Sequence, residues 1–331
     1  MGTSDKRLKE FVKIDTVFAQ LFSKGVFAGR IRVDPKRLHE LDTVNQETVR
    51  LKDGQLKDVE RLRDVQKITM LFDDKMAFQV IMGVEGQEGI HYFMPVRCME
   101  FDALTYSFQC RKISERAKEQ KLLQKYADGV PKGTKIVPTV TLVFYYGEEV
   151  WDGPKSVYDM LDIPDEMKGW AKTFIPDYQM HIIDARHMKE EDIDRFDGDL
   201  KAFLLMIQEN FDREKLKSVV ATHRETWYAI GAVKKDKRYE EYIAEVSDKD
   251  MAGGMYMDTA LDRLIAEGKA EGIIEGKAEG IIEGKTEGEA RVNELGTKMK
   301  KAGRLEEFID SLSDSALQRR LFIEFKIDKE K

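Results

Sequence analysis

Read for the spacing of its apolar positions, the chain divides into an ordered core and a repetitive tail. Asp5 to Ser23 carry a helical pattern, and Val33-Asp34-Pro35 leads into a short extended stretch. Leu62 to Phe72 and Met76 to Glu85 read as strands joined by Asp73-Asp74-Lys75, a polar turn of hairpin length. In the second strand Phe78, Val80, Met82 and Val84 alternate with Gln79, Ile81, Gly83 and Glu85, giving one apolar and one more polar face. Pro95 suits the first turn of a helix. Beyond it Val96, Met99, Ala103, Tyr106, Cys110, Ile113 and Ala117 recur at alternating three and four spacing, which predicts a long amphipathic helix to about Tyr126 with that stripe in the core. Asp128-Gly129 ends it.

Lys135 to Tyr146 is a continuous β-branched and aromatic run, the pattern of a strand covered on both faces. Gly147 to Trp151 form a loop closed by Asp152-Gly153-Pro154, with Trp151 as its anchor. A short strand near Gln179 to Ile183 and two helices, about Lys189 to Asn210 and Arg213 to Val233, complete the globular part. The expectation is an α/β core, helices packed on a mixed sheet, over residues 1–233. Residues 234–258 read as a charged linker, 259–294 as a tether and 295–331 as a small helical cap punctuated by Gly303 and Ser313. The tether is repetitive: EGKAEGII at Glu267 to Ile274 recurs at Glu275 to Ile282 and begins again at Glu283, with glycine every fourth residue from Gly268 to Gly288. As a helix it would carry six glycines, each costing about 1 kcal/mol against alanine, and stacked glutamates at i, i+4. A pliable tether is therefore expected.

Composition narrows the class. The 331 residues hold 55 basic and 62 acidic side chains, a formal charge of −7, and 42% are hydrophobic, enough for a sizeable core. No stretch approaches the roughly 18 apolar residues of a membrane span, and the charged N-terminus is no signal-peptide core, so a cytoplasmic protein without membrane contact is expected. Cys98 and Cys110 share one predicted helix and cannot meet in a disulfide, and both are expected to be reduced and buried. Charge is polarised along the chain: Arg111 to Lys135 is basic, whereas Glu148 to Asp199 is strongly acidic.

The candidate chemistry sits on the hairpin. If Asp74-Lys75 is a two-residue turn, pairing outward from it sets Asp64 opposite Glu85. Directly opposed like charges destabilise a hairpin, and a divalent cation is the obvious compensation. Gln87 shares the face of Glu85 and could orient an attacking water. That register lays Ile68, Met70 and Phe72 against the more polar face of the partner strand. Either both sheet faces are covered, or the register is off by one, or a bulge intervenes. His91 follows Gln87 by four residues as a candidate proton donor or an edge-strand histidine, while His181 and His187 lack zinc-site spacing.

The run RDVQKITMLFDDKMAFQVIMGVEGQEGIHYFMPVRCMEFDALTYSFQ, from Arg63 to Gln109, resembles the recombination-promoting nuclease/putative transposase family, a branch of the PD-(D/E)XK nuclease superfamily. So do PKRLHELDT, PTVTLVFYYGEEVWDGPKSVYDML and the Glu/Gly tail with its GRLEEFI ending. The resemblance implies a PD-(D/E)XK-like, restriction-endonuclease-type core with a helical C-terminal tail, and Mg²⁺-dependent cleavage of DNA phosphodiesters, with Mn²⁺ as a substitute. It assigns Asp64 and Glu85 to the metal, together with the carbonyl of Gly86, and Gln87 to the place of the superfamily's usual lysine. Gln20 in FAQLFS stands where an aspartate is expected, and Asp15 is one turn too early to replace it. Arg97 matches a family arginine that could meet phosphate or pair with an acid. Arg111, Lys112, Arg116 and Lys118, on the basic run, are candidate DNA contacts. A homo-oligomer through the C-terminal helical region is a further expectation. The rival reading is a catalytically inactive nuclease-fold module for nucleic-acid or protein interaction, which the neutral Gln87 and the acidic balance favour.

Overall fold

The computed structural model describes all residues except 1–2, 42–43, 51–55, 63, 74–75, 120–129, 131, 211 and 328–331. The hairpin turn at Asp74-Lys75, the helix end at Asp128-Gly129 and the middle of the basic run lie outside the described residues. The chain forms two compact units, Met1–Leu261 and Asp262–Lys331.

The first unit opens with helices α1 (Thr3–Lys13) and α2 (Asp15–Gln20), split at Ile14 and followed by a π-helical turn over Leu21–Val26. Leu8, Phe11 and Val12, at i, i+3 and i+4, are the buried stripe of α1. Strand β1 (His39–Glu40) and an antiparallel hairpin of β2 (Val44–Arg50) and β3 (Leu56–Leu62) follow, the hairpin being unsignalled in the hydrophobic pattern. Then come β4 (Val65–Asp73), β5 (Met76–Gln87), α3 (Met94–Glu119), β6 (Thr139–Tyr145), α4 (Asp165–Ala171) and β7 (His181–Asp184). The order β1-β4-β5-β6-β7 makes one mixed five-stranded sheet: β1, β4 and β5 pair antiparallel, and β5, β6 and β7 parallel. Helices flank it. On one face Phe11 stacks on Phe203 at 4.5 Å, and Phe203 lies 5.9 Å from Phe144 of β6. On the other face Met94 and Cys98 pack with Val143, Tyr145, Trp151 and Met180.

The hairpin register is the one that a two-residue turn dictates, running from Asp73↔Met76 to Val65↔Val84 without a bulge. The parity conflict resolves in two parts: away from the turn both faces are covered, every residue from Val80 to Glu85 being buried, as are Gln66, Lys67 and Thr69 on β4, whereas nearer the turn Met70 and its partner Gln79 are both exposed. Lys67 keeps its ammonium at that depth by capping the Lys13 carbonyl at the end of α1 and pairing with Asp15.

The face of α3 is a correction. Its buried side chains are Met94, Cys98, Phe101, Asp102, Thr105 and Ala117, whereas Val96, Met99, Ala103 and Cys110 of the predicted stripe are exposed. The reason is polar. Asp102 enters the core to accept hydrogen bonds from the Thr141 and Tyr178 hydroxyls, both at 2.6 Å, and Thr105 accepts one from Gln66 Nε2 of β4 at 3.4 Å, so that these polar side chains and not the apolar stripe face the sheet. Neither cysteine is in a disulfide, and Cys98 is buried as expected whereas Cys110 is exposed.

The C-terminal part of this unit is more finely divided than its sequence pattern predicts. The expected helix Lys189 to Asn210 is α5 (Glu190–Ile193) and α6 (Gly198–Ile207), turned at Gly198 with φ +53°. The next expected helix is α7 (Arg213–Leu216), β8 (Val220–Ala221) and α8 (Arg224–Lys234). Residues 234–258 are not a linker. They form α9 (Arg238–Ala244), α10 (Asp248–Gly253) and β9 (Met255–Tyr256), which pairs with β8, and they bury Tyr239, Tyr242, Ile243 and Met251. Apolar anchors set among charges disguised a packed segment as a solvated one.

The Glu/Gly repeat is helical rather than a pliable tether: α11 (Met257–Lys301) runs through it and across the boundary between the units. Its sequence lacks proline, and Cβ atoms at Gly280, Gly284 and Gly288 would meet nothing within 4 Å. In the second unit Leu295 and Met299 pack with Leu321 and Phe322, joining the end of α11 to α12 (Leu305–Ser311) and α13 (Ser315–Glu324). Gly303 makes the turn after α11 with φ +76°. Among the described residues no helix is long and apolar enough to cross a membrane.

Candidate active site

Asp64 immediately precedes β4, and Glu85 lies two residues before the end of β5. The uninterrupted ladder brings Asp64 beside that end: the Gly86 N–H donates to Asp64 Oδ2 at 2.9 Å. Glycine matters here, since a Cβ at residue 86 would stand 3.0 Å from Leu8 Cδ2 of α1 and 3.6 Å from Asp64 Oδ2. The first is tight enough that the end of the Leu8 side chain would have to yield by a few tenths of an ångström, and the second is an ordinary contact.

The two carboxylates meet different surroundings. Glu85 is opposite Val143 in the parallel register and so faces the α3 side, where it is fully buried with Arg97 Nη2 3.5 Å from its Oε2. Asp64 is half-buried and borders a small recess on the α1 side, lined by Asp5, Leu8, Lys9 and Tyr146. Burial pushes its carboxyl above the ordinary range, against the opposing pull of the Gly86 N–H and of the Lys9 and Arg97 charges. The Tyr146 hydroxyl donates to Asp5 Oδ1 at 2.9 Å, and burial with that acceptor raises the phenol well above its usual value. Gln87 is half-buried, shares the parity of Glu85, and accepts a hydrogen bond from the Tyr146 N–H through its carbonyl at 3.0 Å.

The donors at this end of the sheet are hard: carboxylate oxygens and backbone carbonyls, with no thiolate or imidazole among the residues just named. Among the described residues no cluster of three or more His, Cys, Asp or Glu side chains has a metal-binding arrangement. A small divalent cation that keeps several waters needs only one or two carboxylates. Asp64, which accepts the Gly86 N–H, and the oxygen donors around it fit such an ion in chemistry.

The basic candidates stand elsewhere. Arg111 lies fourteen positions beyond Arg97 on α3, about 21 Å along the axis at 1.5 Å per residue. Arg111, Lys112, Arg116 and Lys118 are exposed. Arg111 and Lys112 lean over the Phe108 ring, and Lys112 pairs with Glu115 at 3.0 Å. The structure therefore brings Asp64, Glu85, Gln87 and Arg97 to one end of the sheet and leaves the basic run apart from them.

Residues 106–237 match the family model described as putative transposase, YhgA-like. The match spans about two fifths of the chain, from mid-α3 to just before α9, and is consistent with the recombination-promoting nuclease/putative transposase family. It contains the basic residues of α3, whereas Asp64, Glu85, Gln87 and Arg97 precede it. No curated protein and no solved structure matches the chain.

Three groups at or near the site escaped the sequence reading. Asp5, Lys9 and Tyr146 converge on the recess from segments far apart in the chain, and nothing in local spacing announces them. Gln20, read as a departure from the family motif, is structural: it donates to the Asp197 carbonyl and accepts from the Asp197 N–H. His91 is exposed in the loop after β5, His187 bonds Asp184 at 2.8 Å, and Trp151 anchors its loop through Nε1 to the Gly153 carbonyl.

Proposed function

We propose that the chain is a DNA-directed nuclease of the transposase-like kind, built on a PD-(D/E)XK-like core, with Asp64, Glu85 and Gln87 as its reacting constellation. The observation that carries this reading is the convergence of a half-buried acid, Asp64, and a fully buried one, Glu85, on the same end of adjacent strands, with a helix-borne arginine beside Glu85. Asp64, Glu85 and the Gly86 carbonyl would hold Mg²⁺ or Mn²⁺, which when bound supplies a Lewis acid toward a phosphoryl oxygen. Asp64 is held in place by the Gly86 N–H. Gln87, a neutral amide, contributes orientation of water rather than charge. Arg97 offers a cation to the phosphate once Glu85 is otherwise compensated. Arg111, Lys112, Arg116 and Lys118 would extend the contact along the DNA backbone, where each neutralised phosphate releases counterions.

The second reading, a catalytically inactive interaction module, is favoured by one observation: Arg97 already serves Glu85 as a countercharge. One experiment separates them. Purified full-length protein is incubated with double-stranded, single-stranded and branched DNA in Mg²⁺ or Mn²⁺, beside Glu85→Gln. The nuclease reading expects cleavage by wild type and none by the variant, with DNA binding in chelator retained by both. Wild type that binds DNA indifferently to Mg²⁺ and cuts none of the three substrates leaves the interaction module standing.

A further inference from the structure

Two strongly exposed aromatic rings among the described residues lie just before the helix that carries Arg97. Tyr92 and Phe93, 56% and 67% exposed, occupy the turn between β5 and α3. The Tyr92 hydroxyl is fixed to Asp152 Oδ1 at 3.1 Å. Phe93 begins the first turn of α3, because the Arg97 N–H donates to its carbonyl at 3.1 Å. Phe93 thus stands one helical turn before Arg97, at the same end of α3. Arg97 in turn reaches Glu85 while lying over the Phe101 ring on its inner side.

Leaving a phenyl ring in water on a rigid helix start forgoes the stabilisation its burial would bring. A flat apolar ring one helical turn before a cation that pairs with Glu85 matches a nucleotide: base on the ring, phosphate on the guanidinium. Only a base with an open face can stack on a protein ring, and the interior bases of a closed duplex have both faces covered by their neighbours. We infer that Phe93 is a stacking platform for an unpaired base, so the site takes single-stranded nucleic acid or an unpaired strand at a flap or gap, rather than closed duplex. This rests on the nuclease reading of the same site.

The test uses the full chain in chelator, so that binding is read without turnover. Fluorescence anisotropy is measured on a single-stranded DNA oligonucleotide, its RNA counterpart and a hairpin-capped duplex of the same sequence. Phe93→Ala should weaken single-strand binding roughly 5- to 150-fold, the usual range for losing one stacked base, while duplex affinity stays within about twofold. Phe93→Trp should keep or tighten it. Circular dichroism of both variants confirms that the exposed position leaves the fold intact. An equal loss on RNA extends the class to any unpaired strand, and a loss on DNA alone restricts it to DNA. Unchanged single-strand affinity in Phe93→Ala, or an equal fall on single strand and duplex, overturns the stacking role and leaves the nuclease reading untouched. Wild type that binds none of the three removes both.

Discussion

Two aspartates of this chain are taken out of water in opposite ways. Asp199, at the start of α6, is 5% exposed and accepts five hydrogen bonds: from the N–H and hydroxyl of Thr222, the N–H and Nδ1 of His223, and the Thr226 hydroxyl. Burial alone would raise its carboxyl, but the bonds from His223, Thr226 and Thr222 outweigh that and hold it below the ordinary range. Among the described residues Asp64 accepts one backbone N–H, from Gly86, and for it burial wins, so its carboxyl stands above that range. The difference separates a carboxylate that builds the fold from one that the fold maintains at a cost. Asp199 ties the start of α6 to β8 and α8. Asp64 has hydrogen-bonding capacity left for something else.

The largest effect expected from this contrast is on chemistry. On the proposed nuclease reading, Asp64→Asn should lower DNA cleavage by on the order of 10³-fold, the rate equivalent of losing about 4 kcal/mol of charge stabilisation. Its urea midpoint should be unchanged or higher, because a desolvated charge has been removed. Asp199→Ala should do the reverse. Stripping a buried carboxylate from its donors costs about 3–5 kcal/mol, or ~10 °C in thermal midpoint for a domain of this size, while cleavage per folded molecule stays near wild type. If both variants lost stability alike, Asp64 would be as structural as Asp199 and its place in the site would go.

Neither role is legible from the aspartates themselves, although much around them is. A two-residue turn fixes a hairpin's register, so the pairing from Asp73↔Met76 to Val65↔Val84 could be read from the Asp74-Lys75 turn alone. Asp64, however, lies beyond the ladder and turns to the α1 side while Glu85 faces α3, so the two carboxylates do not oppose one another as that register implied. The unbroken apolar run at Lys135 to Tyr146 likewise announces β6, buried on both faces. Apolar periodicity misleads where polar side chains are drawn inward, as with Asp102 and Thr105 on α3. It also fails where burial is sparse among charges, as with Tyr239, Tyr242 and Ile243 in the segment read as a linker. The Asp199 network joins residues more than twenty positions apart through a helix start, and the Asp64 recess joins α1, β4, β5 and the end of β6. Contacts of that range depend on packing, which one sequence does not print.

The smallest effect, and the sharpest check on sign, is pH dependence. His223 is held above its ordinary range, chiefly by its hydrogen bond to Asp199. A group raised in the folded state contributes stability that is complete below its unfolded pKa, about 6.5, and is lost as pH rises through the folded value. Asp199, being lowered, contributes above its unfolded pKa near 3.9 and loses that contribution as pH falls through its folded value. The pair therefore stabilises most between about pH 4 and pH 6.5. Asp64 runs the other way: its raised carboxyl makes the folded state lose stability as pH climbs from the unfolded pKa through the folded one. Urea midpoints of wild type and His223→Gln, measured from pH 5 to pH 9, should differ most at the acid end and converge toward alkaline pH. The same comparison with Asp64→Asn from pH 3 to pH 7 should open in the variant's favour as pH rises. A His223→Gln difference that grew toward pH 9 would mean that the imidazole is neutral against Asp199, and the contrast between the two aspartates would then rest on the threonine hydroxyls and backbone N–H groups alone.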